Sequence, residues 1–166
     1  MQLLVIRHAI AEDRETFTGG DDAERPLTTK GRRRMQAGVR GLKTVVRKID
    51  LLASSPLLRA RQTADIVARA YRRVPRVEVA ELSPGAAPEV FVGWLAGQAE
   101  HQVVAAVGHE PTLSEFVSWL IAGRTESGLE LKKGGTCLVD FPGPVAAGKG
   151  VLQWVLTPGQ LRKLGG

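Results

Sequence analysis

Residues 3–9 read Leu3-Leu4-Val5-Ile6-Arg7-His8-Ala9. Four apolar residues in unbroken succession have the length of a strand covered on both faces. An arginine and a histidine then end the run abruptly. The same design returns further along. Leu51-Leu52-Ala53 runs into Ser54-Ser55-Pro56, and Val103-Val104-Ala105-Ala106-Val107 runs into Gly108-His109-Glu110-Pro111. Apolar strands that each stop at polar, chemically able residues belong to an α/β fold, provided helices lie between them.

They do. After a polar loop from Glu12 to Glu24, the residues Met35, Val39, Leu42, Val45, Val46 and Ile49 form a 3.6-residue stripe, which predicts a helix over 29–48 capped by Thr28 or Thr29. A second helix is expected over 57–73, with Leu58, Ile66, Val67, Ala70 and Tyr71 inward and Pro56 at its first turn. Val77-Glu78-Val79 reads as a short strand broken by Ser83-Pro84-Gly85, and 88–99 as a short helix carrying Phe91, Trp94 and Leu95. The cleanest periodicity is 112–121, with Leu113, Phe116, Val117, Leu120 and Ile121 on one face and Thr112 with Glu115 spelling a capping box. Strands at 136–141 and 151–156 read as a closing hairpin across the Pro/Gly loop 142–150. The expected fold is a three-layer α/β/α sandwich, with a mainly parallel, mixed sheet of about six strands. Ligands of such folds sit beyond the carboxyl ends of the strands.

Composition bounds the rest. The 166 residues suit one domain spanning 1–166, and 43% hydrophobic with 24% charged residues exclude wholesale disorder. The single cysteine, Cys137, rules out an intrachain disulfide and a cysteine metal cluster. No run reaches the ~18 apolar residues of a membrane helix, and Met1–Ile6 lacks the lead-in of a signal peptide, so no membrane is expected and the cytosol is the expected compartment. The net charge of +6 is uneven: residues 1–76 hold 17 Lys+Arg against 8 Asp+Glu, residues 77–166 hold 6 against 9. An anionic partner accounts for that excess, as does a plain solvated helix face. No stacking aromatics interleave the arginines, so nucleic acid is the least favoured partner.

The strand ends carry the chemistry. Arg7-His8 follows the first, Ser54-Ser55-Pro56 through Arg59 the second, and Gly108-His109 the fourth. Arginine presents a planar fork matched to phosphate oxygens, and two of them neutralise most of a phosphoryl group. A neutral imidazole is a nucleophile toward phosphorus at pH 7, and a second, protonated histidine donates to the oxygens as charge builds. Such a set needs no metal, and the carboxylates that a magnesium site requires are missing from these strand ends.

The spelling of these segments resembles the histidine phosphatase superfamily, the phosphoglycerate-mutase-like fold, in its short SixA-type form without lid insertions. The resemblance runs through Arg7-His8, Arg25-Pro26-Leu27-Thr28-Thr29-Lys30-Gly31, Ser54-Ser55-Pro56 to Gln62-Thr63-Ala64, Gly108-His109-Glu110-Pro111 and Trp154 to Pro158. It implies a cofactor-free, metal-independent phosphatase. His8 is then the transiently phosphorylated nucleophile, with Arg7, Arg59 and His109 forming the phosphate pocket and Arg25 adding a substrate contact. His101 reads as a surface residue.

Two departures from that family pattern stand out. Ala9 occupies a position where the family has Gly, and a Cβ is costly there if φ is positive. The family's acid after the third strand is replaced by Pro84, leaving Glu81 as the only nearby proton donor. An imidazole leaving group needs that acid less than an alcohol does, so the missing carboxylate favours phosphohistidine. The expected substrate is accordingly phosphohistidine on a signalling or phosphotransfer protein, of the kind carried by histidine phosphotransfer domains. Two alternatives stay open: a small-molecule phosphomonoesterase acting on a phosphorylated metabolite, and a non-enzymatic module that binds phosphate ion or phosphohistidine with little turnover.

Overall fold

The N-terminal apolar run becomes the middle of the sheet. In a computed structural model, which describes residues 1–72 and 74–166, the strands stand in the order β3 (Arg76–Glu78), β2 (Leu51–Ser54), β4 (Val103–Gly108), β1 (Gln2–Arg7), β5 (Thr136–Asp140) and β6 (Val151–Leu156). The first four run parallel to one another; β5 joins β1 antiparallel and β6 joins β5 antiparallel, so that β5 alone runs against the rest, with a register irregularity at Leu138/Val139. This is the mixed, mainly parallel sheet that the alternation of apolar runs predicts.

Both faces are covered. Alternate residues of each central strand point to opposite sides. Leu4, Ile6, Leu52, Ala105 and Val107 join one core beneath α1 (Thr29–Val45), α2 (Leu58–Ala70) and α5 (Pro158–Leu164). Leu3, Val5, Ala53, Val104 and Ala106 join the other, beneath α3 (Pro88–Ala96) and α4 (Thr112–Ala122). Cys137 lies fully buried in β5, and burial pushes its thiol up to about 12, so it has no ordinary reactivity. Among the described residues, no helix is long and apolar enough to cross a membrane.

Two glycines of α1 fix how closely its neighbours approach. A Cβ on Gly31 would stand 2.0 Å from the carbonyl oxygen of Ile10, and one on Gly41 would stand 1.8 Å from that of Leu161. The first contact seats the loop after β1 on the start of α1. Thr28 completes that junction: its hydroxyl donates to Ile10 O and accepts from the Gly31 N–H, capping the helix.

The structure corrects several element ends. α1 stops at Val45, although Val46 and Ile49 remain buried; apolar residues of the following turn reach the same core without helical backbone. The helix expected to 73 ends at Ala70, and residue 73 lies outside the described residues. α3 ends at Ala96, with Gly97 as its cap. The capping box at Thr112 does not form: Pro111 is the N-cap, Thr112 is already helical, and its hydroxyl accepts from the Gly85 N–H instead. Helix α5 adds to the elements expected from the sequence; Thr157 and Gln160 make a true capping box, with Pro158 at the first turn.

Candidate active site

Sheet register brings the strand ends together. Arg7 is paired with Gly108 and Ser54 with Val107, so the residues that follow β1, β2 and β4 emerge side by side. The His8 N–H donates to Gly108 O, and the Ser55 N–H to Val107 O, which fixes the exit direction of each chain. The result is a pair of imidazoles with ring centroids 5.1 Å apart and planes tilted by 53°. Both rings are buried, as is Arg59, at 2% exposure.

Hydrogen bonds assign the histidine nitrogens. His8 Nδ1 lies 2.7 Å from the carbonyl oxygen of Ala9, which can only accept, so Nδ1 carries the proton and Nε2 keeps its lone pair. His109 Nε2 lies 2.8 Å from Ser55 Oγ, while its buried Nδ1 has no protein partner. The Ser55 hydroxyl accepts from the Leu57 N–H and can also donate its own proton to His109 Nε2; in the tautomer where it does, the His109 proton is on Nδ1.

The two arginines are anchored from behind. Arg7 Nη1 donates to Leu131 O at 2.5 Å, and Arg59 donates through Nη1 to Asp22 O at 2.8 Å and through Nη2 to Asp22 Oδ2 at 3.0 Å. In each guanidinium the buried Nε has no protein partner. Three unmatched N–H donors, Arg7 Nε, Arg59 Nε and His109 Nδ1, are therefore held in the cluster that surrounds His8. Buried donors without partners are costly, and a tetrahedral oxyanion is a group that would satisfy several at once.

Electrostatics agree. Burial lowers the His8 pKa most; the Ala9 carbonyl opposes it, by more than any one of the charges of Arg59, Arg7 and Arg25 that add to the lowering, and the pKa comes to about 3. His109 falls to about 3 as well, through burial, His8 and Arg59. Both rings are neutral at pH 7, which suits His8 as a nucleophile.

Arg25 and Glu81 sit differently. Arg25 is nearly buried, donating through Nε to Asp22 Oδ1 at 2.9 Å and through Nη1 to Glu12 O at 2.6 Å, close enough for its charge to act on His8. Glu81 lies half-buried in the 3-10 turn Ala80–Leu82, and among the described residues its carboxylate makes no hydrogen bond or ion pair. Ala9 is buried, and its φ is not positive. Its N–H donates to Thr63 Oγ1 at 3.0 Å. Alanine therefore replaces the family's glycine without backbone strain. His101 is half-buried, its ring beside Glu100.

The sequence assigns no role to three further residues that shape the site. Asp22 gathers Arg14, Arg25 and Arg59 on one carboxylate. Burial alone would raise its pKa, but hydrogen bonds from Arg25 and Arg14 and the charge of Arg59 bring it down to about 2. Glu110 accepts from the Leu131 N–H at 3.1 Å and from the Ser114 hydroxyl, bracing Leu131, the residue whose carbonyl holds Arg7. Ser55 orients His109. Asp22 stands three residues before Arg25, a spacing suited to a local ion pair; nothing local signals its bond to Arg59, 37 residues away.

Comparison with known proteins follows the same lines. A family model described as the histidine phosphatase superfamily (branch 1) matches residues 3–87. An uncharacterized protein of Picosynechococcus sp. is 38% identical over 138 residues, 81% of this chain and 82% of that protein. Among solved structures, the protein histidine phosphatase SixA complexed with tungstate is similar in fold, with a TM-score of 0.83 and 24% identity, covering 97% of this chain and 99% of that one. The α-ribazole phosphatase of Shigella flexneri shares the fold with a TM-score of 0.77 and 21% identity, covering 95% and 97% of the two chains.

Proposed function

Because this chain belongs to the histidine phosphatase superfamily, we propose that its phosphatase activity is the hydrolysis of phosphohistidine on a phosphorylated protein, with His8 as the nucleophile. The observation that carries the site is the set of unmatched donors, Arg7 Nε, Arg59 Nε and His109 Nδ1, held around a His8 whose Nδ1 is already committed to Ala9 O.

In the first step the lone pair of His8 Nε2 attacks phosphorus. The phosphorus–nitrogen bond of the substrate breaks, and its electron pair leaves with the substrate imidazole. Positive charge left on the His8 ring is stabilised by the Ala9 carbonyl at Nδ1, and negative charge on the phosphoryl oxygens by the two guanidiniums and His109. In the second step water attacks phosphorus, the new phosphorus–nitrogen bond breaks, its electron pair returns to Nε2, and the water proton goes to solvent with phosphate released. Asp22, Ser55 and Glu110 touch no reacting atom in this scheme; they hold Arg59, His109 and Arg7 in place.

The leaving group supports phosphohistidine over an ester. An alkoxide needs a proton as it departs, help worth roughly 10²–10⁴-fold. Glu81 is the sole acid that the sequence offered for that role, and no contact directs it. A phosphohistidine takes up a solvent proton on its free ring nitrogen near neutral pH, so its imidazole departs as a neutral ring and needs no positioned acid. The test is a quenched reaction with a phosphohistidine protein and, separately, a chromogenic phosphate ester, each compared with His8→Ala. The expected result is acid-labile, base-stable phosphate on His8 and turnover of the phosphohistidine protein far above that of the ester. Faster turnover of the ester would assign a small phosphomonoester instead, and binding without turnover above His8→Ala would make the chain a phosphate-binding module.

A further inference from the structure

A cleft of about 410 Å³ opens directly beside the phosphate pocket, with Arg7 and Ala9 in its wall. Its rim carries Arg34 of α1, Lys132 and Lys133 from the segment before β5, and Arg162 of α5. A neighbouring depression shares Arg34 and Arg162 and adds Lys30 and Arg33. Six cations from three separate parts of the chain thus border one continuous surface, against a single acid in the cleft, Glu130.

Among the described residues, none of these six cations lies within ion-pair distance of a carboxylate; other cations of the chain, Arg32 and Arg40 among them, are unpaired too, and what sets these six apart is that they border one concave surface. Like charges left unneutralised on one concave surface repel one another and lower the stability of the fold, a cost that binding an anion removes. The floor is apolar, with Ile10 and Met35, which favours a ligand that brings carbon surface as well as charge.

The geometry points to this cleft as a docking groove for an acidic polypeptide segment flanking the phosphohistidine of the substrate protein. The inference rests on the phosphohistidine function above and adds what selects among phosphohistidine proteins. A peptide whose phosphohistidine lies over His8 passes Arg7 and meets Arg34, Lys132, Lys133 and Arg162 with its neighbouring side chains. Glutamate or aspartate there finds unpaired cations; lysine there meets repulsion. Each exposed pair contributes roughly a factor of 1.4–5 in affinity, so three or four formed together give from about 3-fold to several hundred-fold, a range that spans about 10-fold.

The experiment uses three synthetic peptides with one phosphohistidine each, flanked by four glutamates, four glutamines or four lysines. kcat/KM is measured at 50 mM and 500 mM salt for the natural chain and for the double variant Arg34→Gln/Lys133→Gln, with free phosphohistidine as the unflanked control. The expected order is glutamate over glutamine over lysine, with about 10-fold between the first two at low salt. That preference shrinks at high salt, because the screening length contracts from about 14 Å to about 4 Å. In the double variant it drops to about 3-fold or less while turnover of free phosphohistidine changes less than 2-fold. Equal rates on all three peptides, or an acidic preference that survives in the variant, would overturn the docking groove and leave the phosphohistidine function standing. Turnover of a small phosphate ester without turnover of any phosphohistidine substrate would refute that function, and the groove with it.

Discussion

Replacing Asp22 with Asn removes one negative charge from between three guanidiniums while preserving shape. The carboxylate accepts from Arg25 Nε at 2.9 Å, Arg59 Nη2 at 3.0 Å and Arg14 Nε at 3.2 Å. Its pKa falls from the ordinary 3.8 to about 2. Fully shielded from water, that displacement corresponds to ~2.4 kcal/mol of folding stability at neutral pH. The side chain is 35% exposed, however, and solvent screening reduces the figure to ~1 kcal/mol. The sign follows from linkage. A carboxyl with a depressed folded pKa stabilises above its unfolded value and loses that contribution as pH falls from near 4 through about 2. Urea unfolding of Asp22→Asn at pH 7 should therefore show a loss of ~1 kcal/mol, which for a chain of this size lowers Tm by roughly 2–4 °C. The gap to the natural chain should narrow below pH 4. Phosphate should stabilise the variant at least as much as the natural chain, since it meets guanidiniums relieved of a competing anion. A gap that persists unchanged to pH 2, or no gap at pH 7, would refute the assignment of Asp22 as the electrostatic anchor of Arg59.

Gly31→Ala places a methyl 2.0 Å from the Ile10 carbonyl oxygen and should destabilise by ~2 kcal/mol or more, measured by the same unfolding assay. Ser55→Ala removes the hydroxyl at 2.8 Å from His109 Nε2; kcat should fall roughly 10-fold with the fold intact by circular dichroism, and a change in KM alone would contradict its orienting role. His8 and His109 titrate near 3 when folded and near 6.5 when unfolded, so the unfolded chain binds more protons between those values. Stability should decline steadily as pH drops from 6.5 toward 3, and His109→Gln should flatten that slope.

The sequence made the sheet legible because its strands are buried on both faces, and continuous apolar runs such as Leu3–Ile6 and Val103–Val107 have few other uses. The convergence of His8, Arg7, Arg59 and His109 followed from topology: parallel strands deliver their carboxyl ends to one edge. Helix ends were read less well, since Val46 and Ile49 keep the helical spacing of apolar residues after the helix has stopped. Helix α5 hid behind Pro158-Gly159, which spells a turn as readily as a first helical turn. Thr112 matched a capping box by spelling, but Pro111 precedes it as the cap and Gly85 claims its hydroxyl. Asp22 and Glu110 stayed invisible as anchors because what each holds, Arg59 or the Leu131 peptide, comes from a distant part of the chain. Their importance is a property of the assembled edge.

The central claim is that two imidazoles and two guanidiniums hold one tetrahedral oxyanion. Its most direct test is a crystal structure of this chain soaked with tungstate. Tungstate oxygens should lie within hydrogen-bond distance of Arg7 Nε, Arg59 Nε and His109 Nδ1, with the tungsten facing His8 Nε2. Tungstate bound only in the cleft of Arg34, Lys132, Lys133 and Arg162, or a His8 ring whose Nε2 points away from the ion, would contradict it.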